Sequence, residues 1–291
     1  MFVDKGYALI EVCKEENISI SEYTIRNEME EQQLSREQVL LKMKKSLEVM
    51  KESATEALER EVISISGLIG GDAKRMYDYY KKGNTLTGDF MVKAMAMALS
   101  SSEVNAAMGR IVAAPTAGSC GILPAVILAA GERLGKDDDE LVKALFTASG
   151  VGMIIAKNAT VSGAEGGCQA ECGSAAAMAC AAIIEMMGGT PEMALDGAAV
   201  VIKNILGLVC DPVAGLVEIP CAKRNMGGAV NALTTVDLIM SGVKSKIPFD
   251  DVILAMYKVG KALPCELRET ALGGVATTPT GLKYSKMVLG E

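Results

Sequence analysis

The stretch between residues 111 and 242 is the part of the sequence that most restricts the fold. Only 20 of its 132 residues are charged, and small side chains dominate it, as in AAAMACAAII at 175–184. Small residues let helices approach closely, and flexible Met side chains fill irregular gaps between them. A β-sheet protein would be rich in Val, Ile, Thr and aromatic residues, yet aromatic residues make up only 4% of this chain. The sequence therefore predicts a mainly α-helical fold.

Apolar spacing and boundary residues predict six helices in the second half of the chain. Thr190 followed by Pro191 is typical of a helix start, and acidic residues such as Asp138 favour a first turn. The predicted helices cover residues 123–134, 138–157, 171–187, 191–206, 227–241 and 249–262. Gly-containing loops lie at 67–72, 114–124, 162–168 and 210–221, and we expect these loops to converge.

Residues 1–62 differ from the rest because they carry 14 acidic and 9 basic side chains. Between residues 29 and 61, apolar residues recur at roughly helical spacing, which favours amphipathic helices with one face in water. We therefore predict an amphipathic helical arm at 1–62 and a single helical domain at 63–291. The charged face of the arm is either a solvated surface or a docking surface for a partner.

Composition and charge exclude several classes of function. The formal net charge of −7 argues against a nucleic-acid partner, which requires clustered cations. No uninterrupted apolar run predicts a membrane span, and the acidic amino terminus does not look like a signal peptide, so we expect a cytoplasmic protein. The chain has no His, which excludes a His-dependent triad, a His-ligated zinc site and a His base within this chain.

The eight cysteines are expected to be reduced thiols or metal ligands. Cys168, Cys210 and Cys221 lie in or beside Gly- or Pro-containing loops, where three thiolates would leave one coordination position of a metal centre open. Their spacing does not match the C-x₂-C pattern of ferredoxins or zinc ribbons, so zinc, an iron–sulfur cluster and a structural role all stay open. Cys172, one turn after Cys168, is either a further ligand or a core thiol, and Cys180 is predicted to be a core thiol.

Two loops have the composition of an anion site. The segment APTAGSCGILP at 114–124, which includes Thr116 and Ser119, precedes a predicted helix and presents N–H groups that could hold a carboxylate. It lacks the G-K-[ST] of a P-loop. The segment GLIGGD at 67–72 could act in the same way, and both segments are equally consistent with tight turns between helices.

Charged residues near the cysteines are further candidates. Lys157 precedes the loop at 162–168 and Glu165 lies within it, in a weakly charged region, where an ionised side chain is costly unless it is paired or used. Each is either functional or part of an ion pair or the surface. Lys223 and Arg224, beside Cys221, could bind a substrate carboxylate or compensate a negatively charged cluster.

Three segments resemble the signature blocks of one family: GRIVAAPTAGSCGILPA, NATVSGAEGGCQAE and CDPVAGLVEIPCAKRN. They are similar to the alpha chain of iron–sulfur-dependent L-serine dehydratases, and the similarity runs from about residue 65 to residue 276. The resemblance implies that residues 63–291 are a helical catalytic domain with a [4Fe–4S] cluster on Cys168, Cys210 and Cys221. It also implies an oligomer with a separate beta subunit, because this chain lacks the additional domain of single-chain relatives.

The resemblance further implies a reaction, the deamination of L-serine to pyruvate and ammonia. An iron of the cluster would act as a Lewis acid on the serine hydroxyl, and a base would remove the α-proton. Lys157 and Glu165 are the candidate bases, unless the beta subunit supplies one. We expect four residues to bind substrate, namely Thr116, Ser119, Asn158 and Ser162. The alternatives are an L-cysteine desulfidase with the same cluster and a non-enzymatic scaffold protein with a structural metal site.

Overall fold

Thirteen α-helices form the framework of residues 2–290, the part of the chain that the computed structural model describes. No β-strand occurs within this range, so the predicted mainly α-helical fold is confirmed. The helices, numbered α1 to α13 in chain order, span Gly6–Glu15, Ile20–Gln32, Arg36–Glu59, Asp72–Lys81, Asp89–Ala106, Ile122–Leu134, Asp138–Asn158, Gly163–Gly166, Cys168–Met186, Pro191–Asn204, Cys221–Met240, Phe249–Ala262 and Pro279–Leu289.

Helix α9 forms the centre of the core. Every residue from 168 to 184 is buried, because α6, α7, α10 and α11 pack around this helix. Small residues permit the close approach: a Cβ on Gly152 of α7 would lie 2.9 Å from Met178 Sδ, and one on Gly197 of α10 would lie 2.9 Å from Cys180 Sγ. A helix that is apolar on all sides must be buried, which explains why this small-residue stretch occupies the middle of the structure.

The six helices predicted in the second half of the chain are confirmed, and their ends agree to within a few residues except at two starts. Helix α9 begins at Cys168 rather than at residue 171, and α11 begins at Cys221 rather than at residue 227. In each case the last non-helical residue, Gly167 or Pro220, directly precedes the cysteine. The helix therefore begins several residues before the first position that the apolar spacing indicates. The earlier starts place both cysteines in the first turn of a helix.

The predicted amphipathic helices of residues 1–62 are also confirmed. They are α1, α2 and α3, whose inner side chains, among them Leu9, Ile25 and Leu47, join the same hydrophobic core as α9. A break separates α2 from α3: Gln33 has a left-handed φ of 53°, and Ser35 caps α3 by accepting the Gln38 N–H at 3.3 Å. The domain boundary at residue 62 stays a prediction.

The segment after α12 lies against the loop between α10 and α11. Cys210 N donates to Leu267 O at 2.9 Å, and Glu269 N donates to Cys210 O at 2.7 Å. The backbone of Val275 also donates to Asp211 Oδ2 at 2.7 Å. The sequence predicted no element in this region, yet its backbone covers one of the three candidate ligand cysteines.

One stretch, residues 117–134, is long and apolar enough to cross a membrane, judged within the described residues by length and composition alone. Of this stretch, 78% is buried inside the fold. It includes α6, which packs against α5 and α9, as a core helix does.

Candidate active site

The three candidate ligand cysteines lie at the ends of packed elements. Cys168 opens α9, Cys221 opens α11, and Cys210 lies in the loop that precedes α11. All three are buried and free. A helix N-terminus carries a partial positive charge that favours a thiolate. Gly167 is required before Cys168, because its φ is 75° and a Cβ there would lie 2.8 Å from Leu208 O.

The three thiols share one electrostatic environment. Burial, followed by the charge of Cys168, raises the pKa of the Cys210 thiol and raises that of Cys221 to about 12. Direct contacts also join the three segments that carry these cysteines: Gln169 N donates to Leu208 O at 3.0 Å, and Arg224 Nη1 donates to Val209 O at 2.7 Å. Within residues 2–290, however, no group of three Cys, Asp or Glu side chains is arranged around a position for a single metal ion.

Cys168 differs from the other two because it has a thiol partner. Its Sγ lies 3.3 Å from Cys172 Sγ. The hydrogen bond with Cys172 and, after it, the charge of Arg224 hold the pKa of Cys168 below its usual value despite burial. The same bond raises the pKa of Cys172 well above its usual value. Of the two thiols, Cys168 is therefore the more acidic and Cys172 the less acidic.

Glu171 is a site residue that the sequence reasoning missed. It lies on α9, three residues after Cys168, and is only 6% exposed. Its carboxylate accepts a hydrogen bond from the Thr116 hydroxyl, and burial raises its pKa above the usual value. Residues three apart share a helix face, so this spacing was the available signal.

Gly163 marks the point at which several functional groups meet. A Cβ at this position would lie 3.0 Å from Cys210 Sγ and 3.3 Å from Oε2 of both Glu171 and Glu269. Glu269, also missed from the sequence, has a φ of 64°, a conformation that is rare for a residue with a side chain. One thiol and two carboxylates thus face a single small residue, which the structure places at the start of the short helix α8 and not in the predicted loop.

The loop at 114–124 brings two predicted substrate-binding residues to this pocket. Thr116 Oγ1 lies 3.1 Å from Ser119 Oγ. Asn225 of α11 fixes the loop, since its side chain accepts from Gly121 N at 2.8 Å and donates to Gly118 O at 2.7 Å. The structure thus brings Thr116 and Ser119 together with Glu171.

The other predicted site residues lie at the rim or away from it. Ser162 directly precedes Gly163, and Glu165 is exposed in the same loop. Lys157 Nζ donates to Phe2 O at 3.0 Å. Asn158 accepts from Lys5 Nζ and donates to the carbonyls of Asp4 and Ile154. The contacts of Lys157 and Asn158 join the end of α7 to the first residues of the chain, and their roles in the reaction stay predictions.

The neighbouring cations Lys223 and Arg224 have different surroundings. Lys223 is 56% exposed and pairs with Asp72. Arg224 is 17% exposed and pairs with Asp211, with 2.8 Å between Nη2 and Oδ1. Of the two cations, Arg224 is the one that is largely buried and contacts both sequence neighbours of Cys210.

The loop at 67–72 is already bound to an anion of the chain itself. Glu103 Oε1 accepts hydrogen bonds from the backbone of Asp72 at 2.6 Å and of Ala73 at 3.2 Å. These are N–H groups of the first turn of α4, which an external carboxylate would otherwise use.

The fold and pocket define a helical protein built around a cysteine- and carboxylate-lined site. The family model for the serine dehydratase alpha chain matches residues 15–276. The chain belongs to this family, which confirms the resemblance carried by the three sequence segments.

The similar proteins are L-serine dehydratases, and this chain matches some of them over almost their whole length and others over only part of it. The chain is 48% identical to the L-serine dehydratase alpha chain of Peptoniphilus asaccharolyticus, over 97% of each chain. It is also 48% identical to the probable L-serine dehydratase alpha chain of Bacillus subtilis, over 97% of this chain and 94% of that one. The L-serine dehydratase of Streptomyces coelicolor is 37% identical, and the match covers 93% of this chain but only 60% of the Streptomyces protein.

Proposed function

We propose that the chain is the catalytic alpha subunit of an L-serine dehydratase, a lyase that deaminates L-serine to pyruvate and ammonia. One observation supports the proposal: in this chain of the family, Cys168, Cys210 and Cys221 are all buried, and both Cys210 and Glu171, the partner of Thr116, face Gly163. The names of the alpha chains from Bacillus and Peptoniphilus support this reaction. A purely structural metal site would not require buried carboxylates beside its ligands.

The pocket fits a [4Fe–4S] cluster held by Cys168, Cys210 and Cys221. Its donors are buried, unpaired thiols, which is the ligand type that such clusters use. When bound, the cluster supplies a Lewis-acidic iron that polarises the serine hydroxyl.

The protein side chains bind and orient the substrate. Thr116 and Ser119 present hydroxyl and backbone N–H groups to the serine carboxylate at the start of α6, and Ser162 approaches from the opposite loop. These groups hold the amino acid with its α-carbon toward the carboxylates around Gly163. Asn158, at the end of α7, would act in substrate positioning from further out.

Removal of the α-proton requires a base. Glu165 and Lys157 are the candidates from the sequence, and Glu171 is the candidate that the geometry adds. The carboxylate of Glu171 contacts Thr116, and burial raises its pKa toward the range that suits proton transfer near neutral pH. A pH–rate comparison of Glu165→Gln and Glu171→Gln separates these two candidates.

The proposed enzyme acts with a separate beta subunit, in an oligomer in the cytoplasm. The alpha-chain names of the Bacillus and Peptoniphilus relatives, which this chain matches over almost their whole length, support a separate partner subunit. Eight free cysteines agree with a reducing compartment.

Anaerobic reconstitution tests the proposal. The purified chain should take up about four irons and absorb broadly in the visible range through its thiolate ligands, and with its beta subunit it should release pyruvate from L-serine. L-Cysteine is the control substrate, because a desulfidase would form sulfide and pyruvate from it faster than pyruvate from L-serine. A loaded complex that turns over neither amino acid would contradict the proposal.

A further inference from the structure

The side chain of Arg224 bridges both neighbours of Cys210. Its Nη1 donates to Val209 O at 2.7 Å, and its Nη2 lies 2.8 Å from Asp211 Oδ1. These two contacts hold the backbone carbonyl of the residue before the cysteine and the side-chain carboxylate of the residue after it. The planar, always charged guanidinium is suited to such a two-point contact.

The same guanidinium acts on the other two cysteines. Arg224 follows Cys221 by three residues on α11, so both side chains lie on one face of the helix. The loop that it contacts at Val209 also meets the start of α9, where Gln169 N, next to Cys168, donates to Leu208 O at 3.0 Å. One cation therefore joins three segments that are separate in sequence.

The contact continues into the carboxyl-terminal segment. Asp211, which pairs with Arg224, accepts the Val275 N–H at 2.7 Å through its second oxygen. A Cβ on Gly274 would overlap the Asp211 carboxylate, so only glycine fits beside it. Lys223, one residue before Arg224, instead lies at the surface with Asp72, which makes it a matched control for a charge change on α11.

We propose that Arg224 is the positioning residue of the cysteine site: its fork fixes Cys210 against Cys221 and Cys168, and its charge offsets that of the thiolates and of the cluster they hold. The inference rests on the proposed function in so far as a cluster is bound. A buried group of thiolates is costly without a compensating cation. Residues just outside the ligands commonly change metal affinity by about 10- to 100-fold when they are replaced.

Three variants separate the fork from the charge. Arg224→Gln removes both, Arg224→Lys keeps the charge without the fork, and Lys223→Gln removes a neighbouring charge outside the pocket. Three measurements are compared with the wild type. Iron release to a chelator and the cluster reduction potential are measured after anaerobic reconstitution. Hydrogen–deuterium exchange of residues 207–217 is measured in the metal-free chain. Circular dichroism first confirms that each variant is folded.

We expect Arg224→Gln to lose iron about 10- to 100-fold faster than the wild type and to show a lower reduction potential, because the added electron loses a nearby positive charge. Arg224→Lys should keep the wild-type potential, yet exchange at residues 209–211 as fast as Arg224→Gln. Lys223→Gln should match the wild type within about twofold in iron release, as expected for an exposed ion pair.

Two results would overturn the inference. One is an Arg224→Gln variant with wild-type iron release, potential and exchange; the other is a Lys223→Gln variant that is impaired equally. A wild-type chain that takes up no iron would contradict the proposed function instead. In that case hydrogen–deuterium exchange of residues 209–211 in the metal-free variants still tests whether Arg224 orders Cys210. If Arg224→Gln does not fold, the exchange of Arg224→Lys provides this test.

Discussion

The two halves of α9 show how similar burial leads to opposite chemistry. Cys168, in the first turn, is 2% exposed, and Cys180, three turns later, is 0% exposed. Burial alone raises the pKa of Cys180, whereas Cys172 and Arg224 lower the pKa of Cys168. The partners of a buried thiol, rather than its burial, decide whether it is an inert core residue or a thiolate ligand.

The difference follows from what surrounds each half. In the first half, Gln169 donates to Gly166 O and Met256 O and accepts the Gly207 N–H, and Glu171 binds Thr116. The second half, from residue 175 to residue 184, contains only Ala, Met, Cys and Ile. Polar loops meet the helix only at its amino-terminal end, so the chemistry is confined there.

The strongest test of this contrast is Cys168→Ala. We expect loss of the cluster and of turnover to below detection, since one of three ligands is removed, while the helical content stays unchanged. Iron analysis, the visible spectrum and the serine assay measure these effects. Retention of four irons and activity would remove Cys168 from the ligand set.

A pair of glycine substitutions tests the same contrast through packing. In Gly163→Ala the new methyl group would lie 3.0 Å from Cys210 Sγ and 3.3 Å from two carboxylates, and the small shift that follows is expected to lower kcat/KM about 10-fold. Gly197→Ala would press on Cys180 Sγ instead and should destabilise the fold by about 1–3 kcal/mol with little change in kcat/KM. Steady-state kinetics and urea unfolding are measured for both variants. A lower kcat/KM in Gly197→Ala than in Gly163→Ala would contradict the assignment of the chemistry to the first half of α9.

Glu171→Gln tests the polar half through pH. Burial, opposed by the Thr116 hydrogen bond, raises the folded-state pKa of Glu171 above its usual 4.5. Its contribution to stability is therefore fully present below the unfolded pKa and is lost as pH rises through the raised folded pKa. The neutral glutamine does not titrate and so lacks this loss. As pH rises through that window, the unfolding free energy of the metal-free Glu171→Gln variant should therefore increase relative to that of the metal-free wild type. Above the window, the difference between the two should stay constant. Parallel curves at every pH would show that Glu171 titrates normally.

Cys180→Ala should have the smallest effect. Removal of one buried sulfur from a closely packed region costs about 1 kcal/mol, and we expect full cluster content and wild-type kcat/KM. Thermal unfolding and iron analysis of the purified variant provide the measurement. Loss of the cluster would assign Cys180 to the site and would end the distinction between the two halves.

The helices were predictable because their signal is local. Apolar spacing and capping residues such as Asp137, whose side chain accepts the Glu140 N–H at 2.9 Å, are written in neighbouring positions. The positions of the three candidate ligand cysteines beside helix ends were predictable for the same reason, since each lies in or next to a Gly- or Pro-containing segment. Their role as cluster ligands stays a proposal.

The rest of the site depends on contacts between distant segments. Glu269 reaches the pocket only because the carboxyl-terminal backbone pairs with Cys210, and no local pattern marks that pairing. Conversely, Lys157 and Asn158 stand beside the loop at 162–168 in sequence, yet they contact residues 2–5 in space. Their position next to this motif in the sequence therefore did not show which residues their side chains contact in the fold.

The carboxylate of Glu103, bound by the first N–H groups of α4, has a consequence for substrate selectivity. A free amino acid could occupy the loop at 67–72 only by displacing Glu103, which would leave a buried carboxylate without its donors, at a substantial free-energy cost. The chain thus blocks its own second anion-binding loop. Excess serine is therefore not expected to bind at this loop.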